Sequence, residues 1–367
     1  MQGKKMKRIT IKVGTRVLTD KNNLIDHKVI KLLSDQIADL MDRKIEVVLV
    51  SSGAIGAGLG LLSLKKEHKS LSCLQAVASI GQNHLMDLYN VRLKKRGYFS
   101  GQMLLTQEDL NDRKRFLNIS YTINELFKLK GVPVINENDS VSTEEIKCGD
   151  NDRISSLVAD VSDSDMLIIL TDVDGLYGEN SELIGRVEKI TKKIMSFCKG
   201  KGCTESTGGM QTKLEAVKTA ASAGIDTVVA CGKKKNIILD IVDGKNVGTR
   251  FAANKTELKA RKRWIAFSVK PKGKIVIDDG ASLALTKKAK SLLPSGIVSV
   301  KGRFAQGDLV DVMNLKNKLI AKGITGYASE EVERIKGNKT SEIEKKLGYK
   351  DYDEVIHRDN LVLVNDE

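Results

Sequence analysis

Apolar residues along this chain repeat with two different periods, and the changes between them mark out its elements. "RITIKVG" (8–14) puts Ile9, Ile11 and Val13 on one side of an extended segment, the period of a strand. "DHKVIKLLSDQIADLMDRK" (26–44) spaces Val29, Ile30, Leu33, Ile37, Leu40 and Met41 as one stripe of a helix, with Asp26 placed to cap it. "IEVVLVSS" (45–52) is almost continuously apolar, as a strand covered on both faces must be. Further strands are predicted at "VPVIN" (132–136), "MLIILTD" (166–172) and "IDTVVA" (225–230), with a helix from about Thr212. Alternating strands and helices predict an α/β domain around a mainly parallel sheet. No internal repeat or low-complexity segment interrupts it.

The rhythm changes after about Thr256. The charged stretch "ELKARKRWIAFSVKPKG" leads into short alternating runs, "GKIVIDDG", "GIVSVKGRF", "GDLVDVMN" and "LIAKGITGY", broken by glycines. Only "SLALTKKAKSLL" (282–293) reads as helix there. This predicts an α/β domain over 1–255, a charged linker over 256–271 and a small β-rich domain over 272–350. The tail, 351–367, shows no pattern. Two domains also suit 367 residues, more than one compact core usually supports.

Composition narrows the class. Apolar residues make up 41% and charged residues 29%, ordinary for a soluble protein, and runs such as "VVLV" and "MLIIL" are too short to cross a bilayer. The start, "MQGKKMKRITIKVG", is basic but lacks the apolar run of a secretory signal, so a cytoplasmic location is expected, with no membrane partner. The five cysteines include no C-x-x-C pair, and Cys198 and Cys203, the only close pair, have no histidine nearby. Reduced thiols are expected rather than zinc ligands. The formal charge of +14 is uneven: residues 255–367 carry 23 Lys/Arg against 16 Asp/Glu, and the remainder 38 against 31. The C-terminal third is therefore about twice as basic per residue, as a polyanion-binding module or a lysine-rich solvated surface would be.

Candidate chemistry concentrates in "VINENDSVSTEEIKCGDND" (134–152), where nine Asp, Glu or Asn side chains follow an apolar run. Such crowding is either a solvated acidic loop or a site for an ammonium, a metal or a nucleophile. Neither G-x-x-x-x-G-K-[ST] nor a well-placed G-x-G-x-x-G is present. Instead Lys12 precedes "VGT", and "SSGAIGAG" follows the next buried strand, where glycines admit a ligand and helix N–H groups favour anions. "TDVDGLY" places Asp172 at a strand end. "STGGMQTKLEAVKTAASAG" places Lys213 in a first helical turn, an unfavourable position that an anion would offset. Taken singly these are a turn cap and a solvated lysine. Together they offer two cations at the strand ends of one sheet with carboxylates between them in the chain, as phosphoryl transfer requires.

In order and spacing, "IKVGTRVLT", "VSSGAIGAG", "GQMLLTQED", "RFLN", "VPVINENDSVSTEEIKCGDND", "LTDVDGLY" and "TGGMQTKLEAVKTAASAGIDTVVA" resemble the glutamate 5-kinases of the amino acid kinase family. "DDGASLAL" and "KSLLPSGIVSVKGRFAQGDLV" resemble the PUA domain often attached to them. The likeness covers about residues 8–350. It implies a three-layer α/β/α sandwich followed by a PUA pseudo-barrel, and ATP- and magnesium-dependent phosphorylation of the side-chain carboxylate of L-glutamate. That reaction is the first step of proline synthesis.

By the same resemblance, Lys12 and Lys213 match the lysines that stabilise the transferring phosphoryl group, and Asp152 the carboxylate that positions them. Ser52, Asp139 and Asn151 match glutamate-binding positions, with Asn136 in the same loop and the backbone of Gly53 and Ala54 beside them. Lys12, Thr171, Asp172, Thr207, Gly208, Gly209, Met210, Gln211, Thr212 and Lys213 match the ATP-binding set. A carboxylate nucleophile is already ionised, which fits the lack of a histidine near any motif. Glu205 and Ser206 stand where the family often has glycine, and the segment after "DGLY" is short; both concern the nucleotide loop. Inhibition by L-proline, supply of a glutamyl-phosphate reductase, homo-oligomer formation and weak RNA binding by the PUA domain are further expectations. Two other readings stand beside this one: a kinase for N-acetylglutamate or aspartate, and an RNA-binding protein with an inactive kinase-like domain.

Overall fold

The computed structural model describes residues 6–22, 24–64, 70–142, 151–197, 209–253 and 271–364. The chain divides into two compact units, Met1–Lys255 and Thr256–Glu367. The charged stretch over 254–270 lies outside the described residues.

Eight strands form the sheet of the first unit: β1 (Arg8–Val13), β2 (Glu46–Ser51), β3 (Phe99–Leu105), β4 (Gly131–Glu137), β5 (Met166–Thr171), β6 (Arg186–Val187), β7 (Asp226–Cys231) and β8 (Thr249–Phe251). Their order is β3-β4-β2-β1-β5-β7-β8-β6, and every pairing is parallel except β7 with β8. Both faces are covered. Ile9, Ile11, Val13, Val47, Leu49 and Val134 pack on one side with the helices His27–Asp42, Leu71–Lys94 and Ile237–Val242. Val48, Val50 and Ile135 pack on the other with Arg113–Lys128 and Asn151–Val161. This is the expected α/β layering. Asp26 caps its helix, accepting from the N–H groups of Lys28 and Val29.

Elements that the apolar pattern left unmarked have blunted patterns. The buried face of Leu71–Lys94 includes Gly81 and Gln82 among Leu74, Val77, Ala78, Leu85 and Tyr89, so its stripe is not uniformly apolar. Strand β3 is a sheet edge, exposed at Phe99 and Gln102, and lacks the continuous apolar run of its neighbours. One glycine of "SSGAIGAG", Gly58, has an architectural use that it shares with Gly81. A Cβ on Gly58 would lie 2.0 Å from the Val77 carbonyl oxygen, and one on Gly81 would lie 1.9 Å from that of Ala54. Ala54–Leu61 and Leu71–Lys94 therefore meet backbone to backbone.

The second unit has a five-stranded sheet of β9 (Gly273–Ile277), β10 (Ile297–Lys301), β11 (Leu309–Asn314), β12 (Leu319–Ile324) and β13 (Leu361–Leu363), in the order β10-β9-β11-β12-β13. Two expectations change here. Besides Asp279–Lys288, the helices Ser329–Ile335 and Ile343–Leu347 are present, each too short for its period to stand out. The patternless tail is part of the fold: Val355 and Ile356 are fully buried, and β13 pairs antiparallel with β12. A three-residue strand held by a distant partner leaves no periodic trace. Among the described residues, no helix is long and apolar enough to cross a membrane.

Candidate active site

The chain leaves β1 towards β2 on one side, whereas β5, the neighbour of β1 on the other side, leads outward towards β7, so the sheet reverses direction between β1 and β5. Open α/β sheets bind ligands outside the carboxyl ends of their strands at such a switch point. Four strand ends converge there: Lys12 in β1, Ser51–Ser52 after β2, Asn136 and Glu137 closing β4, and Thr171–Asp172 after β5. Alternation along β1 gives Lys12 the face opposite Ile11 and Val13, the face that packs on Asn151–Val161. Lys12 Nζ lies 2.6 Å from Asp152 Oδ1, in the first turn of that helix. From the other direction, Lys213 in Met210–Ser222 brings its Nζ to 3.2 Å from Asp152 Oδ2, and Thr212 Oγ1 donates to the same oxygen at 2.8 Å.

Two lysines and one aspartate, all at most 6% exposed, thus make up a buried cluster in which two ammonium groups share one carboxylate. Burial alone would raise the Asp152 pKa, but Lys12 and Lys213 together hold it below the ordinary carboxylate range. Burial pushes the Lys213 pKa down, against the pull of Asp152 and with the repulsion of Lys12. Burying an excess positive charge is costly without a further anion, so the cluster is built to receive one.

Asn151, the residue before Asp152, faces away from the lysines. The two hydrogens of its Nδ2 are shared among Ser52 Oγ (3.0 Å), Asn136 Oδ1 (3.0 Å) and the more distant Ser51 carbonyl (3.3 Å). Asn136 Oδ1 also accepts from the Glu137 N–H (2.9 Å), while Asn136 Nδ2 donates to Gln82 Oε1 (2.9 Å). Beyond them stands Asp139, 7% exposed, whose Oδ1 has no partner among the described residues. Its burial, and secondarily the nearby Glu137 carboxylate, push its pKa up to about 7. Glu137 accepts a hydrogen bond from Ser142. Gly53 adopts φ +98°, a left-handed conformation that favours glycine, and opens Ala54–Leu61 with no side-chain cap.

The nucleotide side is described in part. Thr171 is buried and its hydroxyl donates to Asp172 Oδ1 (3.1 Å), while Asp172 pairs with Arg16 at 3.2 Å. Gly209 precedes Met210–Ser222 without a side-chain cap, and Gln211 points to solvent. Thr207, Gly208, Glu205 and Ser206 lie outside the described residues. The short segment after "DGLY" is closed by a bridge between Tyr177 and Leu183. Asn136, Asn151 and Ser52 are therefore hydrogen-bonded together next to Asp152, with Lys12, Lys213 and Thr212 around it, and Asp139 lies near Glu137, the neighbour of Asn136. Gln82 and Glu137 are absent from the sequence-derived set. Glu137 carried a signal inside "INEND"; Gln82 carried only that of a polar residue on a buried helical face.

Comparison with known proteins adds an independent line. The family model described as "Amino acid kinase family" matches residues 7–231, more than half of the chain, and the model of the PUA domain matches 273–347. The glutamate 5-kinase of Thermoanaerobacter sp. (strain X514) is 46% identical over 363 residues, covering 97% of this chain and 98% of its own. That of Caldanaerobacter subterraneus subsp. tengcongensis is 47% identical with the same coverage. Among solved structures, Giardia carbamate kinase aligns with 68% of this chain and 100% of its own, at 17% identity and a TM-score of 0.47. The chain belongs to the amino acid kinase family, in its glutamate 5-kinase branch, and carries a PUA domain.

Proposed function

We propose that the protein transfers the γ-phosphoryl group of ATP to the side-chain carboxylate of L-glutamate, giving L-glutamyl 5-phosphate and ADP. The observation that carries this reading is the pair of buried ammonium groups, Lys12 and Lys213, sharing the single carboxylate of Asp152 at the switch point of the sheet. A carboxylate oxygen of glutamate attacks the γ-phosphorus, and the bond to the β–γ bridging oxygen breaks, leaving with ADP. Negative charge moves onto the phosphoryl and bridging oxygens, and Lys12 and Lys213 are placed to neutralise it. Asp152 fixes where both cations stand. The nucleophile is already ionised, so no proton needs removing.

The amino-acid head extends from that centre towards Asn151. Asp139, with Glu137 behind it, supplies the negative charge for an ammonium, which favours glutamate over an N-acylated relative. The first uncapped N–H groups of Ala54–Leu61 and the amide chain face its α-carboxylate. Thr171, Asp172 and the segment from Thr207 to Lys213 take the nucleotide. Asp152 is held by two cations, so Mg²⁺ would be held mainly through the ATP phosphates and would supply partial neutralisation of their charge. On this reading the protein performs the first step of proline synthesis in the cytoplasm, with L-proline as feedback inhibitor, a glutamyl-phosphate reductase as consumer, and homo-oligomer assembly. The PUA domain fits RNA binding. Purified protein with ATP, Mg²⁺ and L-glutamate should release ADP, and hydroxylamine should trap a γ-glutamyl hydroxamate. Faster turnover of N-acetylglutamate or aspartate would overturn the assignment.

A further inference from the structure

The amide chain beside Asp152 is oriented by the backbone. The Glu137 N–H can only donate, so the Asn136 atom it meets at 2.9 Å is the oxygen, and the Asn136 nitrogen faces Gln82. The Ser51 carbonyl can only accept, so the Asn151 atom it meets is the nitrogen. With both asparagines set, Gln82 must present Oε1 to Asn136, and its Nε2 must point the other way. The usual ambiguity between amide oxygen and nitrogen is therefore removed at all three positions. Gln82 is 6% exposed, and its Nε2 meets no acceptor among the described residues. Buried side-chain donors nearly always have a partner, and leaving one without is costly.

Position says what the missing acceptor is. The chain runs from Asp152 through Asn151 and Asn136 to Gln82, away from the lysines and hence from the reacting carboxylate. Gly81, beside Gln82, lies against the Ala54 carbonyl at the start of Ala54–Leu61, and Ser79 on the same helix meets Ser140, next to Asp139, at 3.1 Å. Gln82 thus borders the end of the site assigned above to the α-amino-acid head. The geometry points to Gln82 as a specificity residue whose Nε2 donates to the α-carboxylate of the amino-acid substrate. This rests on the proposed glutamate kinase reading.

The test compares wild type, Gln82→Leu and Gln82→Glu, each with L-glutamate and with L-isoglutamine, whose α-carboxylate is replaced by a carboxamide. Gln82→Glu keeps an acceptor for Asn136 but replaces the donor by a carboxylate oxygen that repels the α-carboxylate, whereas Gln82→Leu removes the donor without adding charge. Both variants should raise the KM for glutamate by about 10- to 100-fold, the usual effect of losing a hydrogen bond to a charged group, and leave the KM for ATP within about twofold. The preference of the enzyme for glutamate over isoglutamine should shrink by about tenfold, because the carboxylate has lost its donor. An unchanged preference overturns the proposal even if the KM rises, since Gln82 would then act only by holding Asn136. If Gln82→Leu fails to fold, the isosteric Gln82→Glu decides. A wild type that releases no ADP with glutamate overturns the kinase reading and this inference with it. A wild type that does so, with variants that behave like it, overturns this inference alone.

Discussion

Asp139 should make glutamate use depend on pH in a range where carboxylates are normally silent. In the free protein its pKa is pushed up from 3.8 to about 7, first by burial and then by Glu137. A substrate ammonium at this carboxylate favours the ionised form, so glutamate binds the fraction of protein in which Asp139 is deprotonated. At pH 8 that is roughly nine-tenths of the protein and at pH 6 roughly one-tenth, given the pKa of about 7. The kcat/KM for glutamate should therefore rise about tenfold from pH 6 to pH 8, with unit slope below the inflection and a plateau above it. Glu137→Gln should move the inflection to lower pH by removing the like charge. Asp139→Asn should flatten the profile and raise the KM for glutamate more than that for ATP.

Stability changes in the opposite direction. A carboxyl whose folded pKa is raised costs nothing below its unfolded value near 4. It destabilises the fold increasingly as pH rises towards 7, by roughly 4 kcal/mol at the plateau. Unliganded Asp139→Asn should accordingly be more stable than wild type at pH 8 and gain much less at pH 4, as measured by urea unfolding. A wild-type kcat/KM that is level between pH 6 and pH 8, or a slope that survives Asp139→Asn, would refute the reasoning.

Three further outcomes follow from the same geometry. Lys12→Ala and Lys213→Ala should each lower kcat by about 10²–10³ with smaller changes in KM, because their charge matters most as the phosphoryl group moves; steady-state kinetics with ATP and glutamate checks this. Gly81→Ala should destabilise the first unit by about 3 kcal/mol or more, since its Cβ would meet the Ala54 carbonyl oxygen at 1.9 Å and neither backbone can yield as a side chain would; chemical denaturation measures the loss. Residues 1–260 alone should fold and phosphorylate glutamate, because all residues assigned to the reaction lie in the first unit; a well-folded but inactive fragment would give the second unit a part in the site.

The sequence by itself determined the central sheet of the first unit. Strands buried on both faces must be apolar throughout, and "IEVVLVSS" and "MLIIL" carry that requirement locally. The 3.6-residue stripe of His27–Asp42 and its Asp26 cap are equally local. The charge pattern also drew attention to Lys12, Lys213 and the polar stretch that ends in Asp152, while the role of Asp152 itself came from the family resemblance. Their meeting is another matter. Residues separated by 140 and 61 positions come within 2.6 and 3.2 Å only because β1 and the helices Asn151–Val161 and Met210–Ser222 converge. The same holds for Gln82, whose polarity is unremarkable until Asn136 arrives from a distant strand and the backbone of Glu137 orients it. Gly58 offered a ligand-binding reading in sequence and Gly81 none, and only the close approach of two helices revealed the packing use of both. Periodicity reports what each segment buries, whereas register, convergence and the fate of each buried donor are properties of pairs, which tertiary structure alone decides.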